Sequence, residues 1–177
     1  PAGHDLVTKY DHNTFLPRIY SQEKYDPQFY KQWLQLGDND TPTFGDNLKF
    51  MFSWQIYQMY ARYFLWNFAG RYNQQDGQKQ MGGFHGYTDG DWTTGIFDKA
   101  NHLPKSVLND NTYTPLYALP LILGLIGLIY HYRHNKRDAL IITLLWFFTS
   151  IAIVMYVNQP LQPRERDYSY VGSFYAF

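Results

Sequence analysis

Cysteine is absent from this 177-residue chain, which excludes a disulfide frame and any thiolate metal site. Net charge is absent as well, because 15 Lys and Arg balance 15 Asp and Glu. No global field therefore argues for a nucleic-acid partner. There is no G-x-x-x-x-G-K-[ST] loop, no G-x-G-x-x-G after a strand, no H-E-x-x-H and no G-x-S-x-G. The histidines (His4, His12, His85, His102, His131 and His134) show no metal-ligand spacing, so no metal site is expected. "DNDTPTFGD" starts like a calcium loop, but Pro42 and the missing glycine at its sixth position rule against it. The opening "PAGHDLVTKY" has no starting Met, basic n-region or cleavage site, so no signal peptide is read there. It reads like the middle of a loop, and the closing "GSFYAF" like the start of an apolar segment. The chain is thus expected to be an internal fragment of a longer protein.

Charge also becomes scarce along the chain. Residues 1–110 carry ten Lys/Arg and twelve Asp/Glu, whereas 111–177 carry five and three, confined to Arg133–Asp138 and Arg164–Asp167. Two stretches are left without charge: "NTYTPLYALPLILGLIGLIY" (Asn111–Tyr130) and "ALIITLLWFFTSIAIVMYV" (Ala139–Val157). Crossing a bilayer takes roughly 20 mostly apolar residues, so both qualify, the first with its polar front at the interface. Transmembrane helices are predicted over about 115–131 and 139–157. Pro120 falls inside the first run, where neighbouring groups must satisfy the carbonyl it frees. Gly124 and Gly127 allow another helix to approach closely. Between the runs, Arg133, Lys136 and Arg137 make 132–138 a basic polar hairpin, which places it on the cytoplasmic side. Residues 1–110 and 158–170 then lie outside the cytoplasm, and a further membrane helix starts near the end.

What the chain has in abundance is aromatic side chains, at 20% with 17 Tyr and 13 Phe. Tyr favours places that are apolar at one end and wet at the other, as the membrane interface is. "LKFMFSWQIYQMYARYFLWNFAG" predicts a helix over about 48–69, capped by Asp46 or Asn47 and stopped at Gly70. Phe52, Ile56, Tyr60 and Tyr63/Phe64 form one apolar stripe, with Phe50, Trp54, Tyr57 and Ala61 beside it. Apolar on most sides yet carrying Lys49 and Arg62, it fits an interfacial helix; a soluble amphipathic helix with a wide core face is the alternative. Seven of the 13 glycines fall between Gly70 and Gly95, so 70–95 is expected to be a loop without regular structure. Its Asp89 and Asp91 fit a turn better than a cation site. Residues 15–47 mix short helical pieces with turns. The fold class is mostly α: an integral membrane fragment with two transmembrane helices and an extracytoplasmic helical and loop region containing an aromatic interfacial helix.

Two places can carry chemistry. "PRERDYSY" lies just outside the second apolar run. Arg164 and Arg166 there would meet phosphate groups in a bidentate fork, with Glu165 and Asp167 orienting them; the same residues would also serve as an interfacial ion-pair cluster. "RYFLWNFAGRYN" sets Arg62, Asn67 and Arg71 in an aromatic helix and its end. A buried Arg62 needs a partner, either structural, such as Asp167, or a ligand phosphate.

These stretches carry a family resemblance. "RYFLWNFAGR" (Arg62–Arg71), "LPLILGLIGL" (Leu119–Leu128) and "NQPLQPRERDYSYVGSFYAF" (Asn158–Phe177), with "GDNLKFMFSWQ" and "DWTTGI", closely resemble the bacterial membrane family called domain of unknown function 2723. That family is similar to the animal O-mannosyltransferase known as transmembrane protein 260. The resemblance runs from about Phe15 onward. It implies a multi-pass glycosyltransferase of the GT-C architecture in the bacterial inner membrane. Its donor would be a polyprenyl-phosphate sugar, taken as mannose, and its acceptor a Ser or Thr hydroxyl of a protein. The partners implied are the lipid bilayer, the lipid-linked sugar, an acceptor protein and the remainder of the chain; no cofactor is identified. The acidic general base of such enzymes belongs to a first outer loop that would precede residue 1, so no catalytic residue is assigned in this chain and the fragment alone is expected to be inactive. Arg164 and Arg166, held by Glu165 and Asp167, are the expected contacts of the donor phosphate. A non-catalytic membrane scaffold of the cell envelope and a soluble all-α interaction domain are the other readings.

Overall fold

The computed structural model describes residues 16, 18, 25–72, 90–96, 105–158 and 167–177, and these are mostly helical. In chain order come helices α1 (Tyr25–Leu34) and α2 (Phe44–Phe50), a π-helical segment (Met51–Ala61) and α3 (Arg62–Phe68). Strands β1 (Gly70–Tyr72) and β2 (Asp91–Trp92), the short α4 (Lys105–Leu108) and strand β3 (Thr114–Pro115) follow. Helices α5 (Leu119–His134), α6 (Lys136–Phe148), α7 (Ile151–Val157) and α8 (Asp167–Ala176) complete the order.

The aromatic helix starts earlier than its apolar stripe predicts. Thr43, not Asp46 or Asn47, is the cap: its Oγ1 accepts from Asp46 N at 3.3 Å while its own N donates to Asp46 Oδ2 at 2.9 Å. This reciprocal box satisfies two backbone donors and fixes the first turn. The hydroxyl and amide of Thr43 also hold the Asp46 carboxyl below its ordinary pKa. From Phe44 the chain runs without a break through α2, the π-helical segment and α3. The Arg62 amide bonds back five residues, to Tyr57 O, which is the wide π turn.

That helix is covered by protein along its length. Its first half packs on α1 through Phe29, Tyr30, Leu34, Phe50 and Trp54, with the Phe29 and Trp54 rings edge-on at 4.8 Å. Its second half meets α7 and α8 through Tyr60, Tyr63, Val154 and Tyr170. Burying each of these large side chains contributes roughly 1.5–3 kcal/mol. Among its aromatic side chains Phe44, Phe52 and Tyr57 stay exposed, at 46%, 58% and 48%.

The glycine-rich stretch is not loop throughout. Its two ends are strands: β1 is central in a three-stranded antiparallel sheet of order β2-β1-β3, with Arg71 opposite both Trp92 and Thr114. Gly70 makes the sheet possible. Its φ is +128°, and a Cβ there would lie 2.5 Å from both Leu116 N and Thr93 O, so the glycine serves a close backbone approach. Asp89 lies outside the described residues.

Pro120 needs no rescue. It sits in the first turn of α5, where its missing N–H is one of the helix's unpaired donors anyway. Neither α5 nor α6 is a core helix. None of the 16 residues of α5 is buried, and Leu119, Leu123 and Ile126 are more than half exposed. A single residue, Asn135, joins α5 to α6, its side chain accepting from Asp138 N. The run Lys136–Val157 is 22 residues and, among the described residues, the one helix long and apolar enough to cross a membrane; only 11% of its apolar window is buried. It bends where Thr149 and Ser150 return their hydroxyls to Leu145 O and Trp146 O, at 2.7 and 2.5 Å, a back-bonding that loosens the helical ladder.

Candidate functional site

The Val157 end of that run is where distant parts of the chain meet. Asn158 ends α7 in the left-handed conformation, with φ +50°, which asparagine tolerates better than most residues. The last carbonyls of a helix have no partner within it. Arg18 supplies one, its Nη1 donating to Met155 O at 2.9 Å. The same nitrogen lies 3.3 Å from Gln55 Oε1 and 3.3 Å from Asn158 Oδ1. It carries two hydrogens, so the two longer contacts share one of them. Gln55 Nε2 closes the ring by donating to Asn158 Oδ1 at 3.0 Å.

This is a buried cation held by neutral oxygens. Arg18 is 8% exposed and Gln55 wholly buried. Arg18 Nε is buried without a hydrogen-bond partner. Burial lowers the guanidinium pKa below its ordinary value, yet an arginine remains charged in a protein. The negative end of α7 offsets part of that desolvation.

The candidate residues of the aromatic helix fall at its far end. Arg62 is 5% exposed; its Nε donates to Gln58 O and its Nη1 to Gly90 O, both at 3.2 Å. Its guanidinium lies 5.4 Å from the Trp66 ring centre, within cation–π range. Asn67 Nδ2 donates to Tyr63 O at 2.9 Å. Arg71 stands in the central strand and is partly exposed. Arg62 and Asn67 thus donate to backbone carbonyls on α3 and beside it, while Arg71 stands on the strand that follows. Arg164, Glu165 and Arg166 lie outside the described residues. Asp167 opens α8, and its side chain also lies outside them.

Sequence reasoning missed Arg18, Gln55 and Asn158. The signal was present in "FLPRIY", a lone arginine among apolar neighbours. Gln55 stands one residue after Trp54, and so at the core edge of the helix. Neither feature says that the two meet.

A model of a family of unknown function (DUF8416) matches residues 2–52, well under half of the chain. The match includes Arg18 and the Thr43 cap and stops short of Gln55. No curated protein and no solved structure matches the chain.

Proposed function

We propose that this chain is part of a membrane glycosyltransferase of the GT-C architecture that moves mannose from a polyprenyl-phosphate donor to Ser or Thr hydroxyls of an acceptor protein. The reading rests on the stretches that resemble the domain of unknown function 2723 family. The family matched over residues 2–52 bears another name and no activity. In this reading Lys136–Val157 crosses the bilayer with α5 beside it, and the aromatic helix lies at the outer interface. Residues 1–110 and 158–170 face away from the cytoplasm, and 132–138 face it, in the bacterial inner membrane.

One observation in the fold supports the reading. Arg18, a buried cation, closes the outer end of the membrane-competent helix at Asn158, directly before the segment that carries Arg164, Glu165 and Arg166. A sugar leaving a lipid phosphate leaves an anion at the membrane surface, and fixed cations aimed at that place stabilise it.

The test supplies radiolabelled polyprenyl-phosphate mannose and a Ser/Thr-containing acceptor to the whole protein in nanodiscs and counts label on the acceptor. Transfer that falls sharply in Arg164→Ala and Arg166→Ala supports the enzyme and puts the loop at the donor. No transfer from well-folded protein with several sugars sinks the reading. A non-catalytic envelope scaffold is then favoured by one observation: the hydrogen bonds described for Arg18, Arg62 and Asn67 end on this chain's own oxygens.

A further inference from the structure

Helices α5, α6 and α8 leave a groove between them, lined also by Phe64, Trp146 and Phe177, with a volume of about 490 Å³. That lies within the range of about 300–1,000 Å³ for sites that bind small molecules. Its lining is hydrocarbon apart from His131, Thr143 and Trp146; the Thr143 hydroxyl donates to Ala139 O at 2.8 Å, and Trp146 Nε1 is buried without a hydrogen-bond partner. Between those groups its lining offers only hydrocarbon. Gly124 and Gly127 open it. The Phe177 ring lies against Gly124, whereas a Cβ at Gly127 would meet nothing within 4 Å.

The groove has a direction. Along α5 it extends from Leu121 to His131, about 15 Å at the rise of a helix. That is half of a hydrocarbon core of about 30 Å, the depth of one leaflet. The His131 end opens at the hairpin, where the exposed Arg133, Lys136 and Arg137 stand. The hairpin's acid, Asp138, is engaged by Asn135 Nδ2. A one-leaflet apolar slot with cations at its mouth complements a molecule that has a hydrocarbon chain and an anionic head, and basic pockets between membrane helices take such headgroups.

We propose that this groove binds one acyl chain of an anionic phospholipid, with the lipid phosphate on Arg133, Lys136 and Arg137. The proposal rests on the membrane placement of Lys136–Val157 and is independent of the glycosyltransferase reading, whose donor site lies at the opposite end of the same helix.

The experiment uses the whole protein in nanodiscs of mixed phosphatidylcholine and phosphatidylglycerol. Native mass spectrometry counts the lipids that stay bound on release. Wild type is expected to retain phosphatidylglycerol above its share of the bilayer. Lys136→Glu with Arg137→Glu is expected to lose that enrichment, by roughly fivefold per charge removed, while still holding phosphatidylcholine. Gly127→Leu fills the slot with its side chain and is expected to lose both lipids, with circular dichroism and thermal unfolding matching wild type. Gly127→Leu that retains phosphatidylglycerol as wild type does overturns the proposal. So does wild type that shows no enrichment, as it would if a protein helix filled the groove. Alkaline extraction separates the two levels. Protein that leaves the membrane sinks the membrane placement itself, whereas protein that stays without retaining phosphatidylglycerol sinks the groove alone.

Discussion

Arg18 and Asn158 stand 140 residues apart in the chain and meet at 3.3 Å between Nη1 and Oδ1. The contact ties the segment before α1 to the end of the membrane-competent helix. Hydrogen bonds to charged groups contribute about 1.5–3 kcal/mol, and Arg18 also serves Met155 O, which α7 leaves unpaired. Arg18→Ala is expected to lower stability by about 2 kcal/mol on that ground, seen as earlier thermal unfolding in nanodiscs. Arg18→Lys is expected to recover part of the loss, since every bond described comes from Nη1 alone and a lysine ammonium also donates. Arg18→Met keeps the stem packing and removes a buried charge with neutral partners, so it falls between Ala and wild type. Equal melting of Arg18→Ala and wild type would remove the tie.

Gly70 gives a sharper test of the sheet. Its φ of +128° belongs almost to glycine alone, and a Cβ would strike backbone atoms of Leu116, Thr93 and Thr114, none of which can rotate away. The Gly70 carbonyl also accepts from Thr93 N at 2.9 Å. Gly70→Ala combines strain with a clash and is expected to cost about 3 kcal/mol or more. Hydrogen exchange at the Thr93 amide, which donates to Gly70 O, would read it, as loss of protection there with α1 unaffected. Unchanged exchange would mean that β1 does not pair with its neighbours in this register.

What was legible in the sequence followed from periodicity and charge. The aromatic helix and the two charge-free runs announced themselves because their apolar residues lie close together in the chain. Boundaries were less legible, since a cap depends on two side chains closing on each other: Thr43 and Asp46 form a box that the apolar stripe does not reveal. The strands at Gly70–Tyr72 and Asp91–Trp92 were hidden by glycines that read as loop; one of those glycines is required by the pairing itself. Least legible was the knot of Arg18, Gln55 and Asn158, because no local pattern records a contact across the whole chain. The candidates Arg62 and Asn67 were correctly placed on the helix, but each turns back to a carbonyl four residues earlier, which helical spacing allowed and composition did not show.

A second close approach lies at the break in the membrane-competent helix. A Cβ on Gly172 of α8 would lie 2.8–3.0 Å from side-chain atoms of Thr149, at the point where α6 gives way to α7. Gly172→Ala is therefore expected to push α8 from the bend, at a cost of about 1–3 kcal/mol for overpacking. Thr149→Ser removes the methyl group and keeps the hydroxyl that bonds Leu145 O. The double variant is expected to regain part of the loss, giving a coupling energy of about 0.5–2 kcal/mol in a mutant cycle. Additive single effects would show that the two residues do not touch.

At the other end of the molecule, Tyr30 predicts how stability responds to alkali. Its hydroxyl, on α1, donates to Asn47 Oδ1 at 2.8 Å, and the ring is 3% exposed. Burial, with a smaller contribution from the Asp46 carboxylate, pushes its pKa up to about 12 from an ordinary value of 10.0. The unfolded chain therefore releases this proton near pH 10 while the folded chain holds it to about 12. The stability tied to the neutral phenol is fully present below pH 10 and is lost as pH rises between the two values. Alkali acts on the rest of the molecule as well, so the informative quantity is the difference between wild type and Tyr30→Phe. At neutral pH Tyr30→Phe is expected to be the less stable by about 1 kcal/mol, because Asn47 loses its donor. Between pH 10 and 12 the gap is expected to narrow, since phenylalanine has no proton to lose. Denaturant midpoints measured across that range would read the change. Curves that stay parallel would mean Tyr30 ionises in the folded chain as easily as in the unfolded one, and that α1 does not seal it against α2.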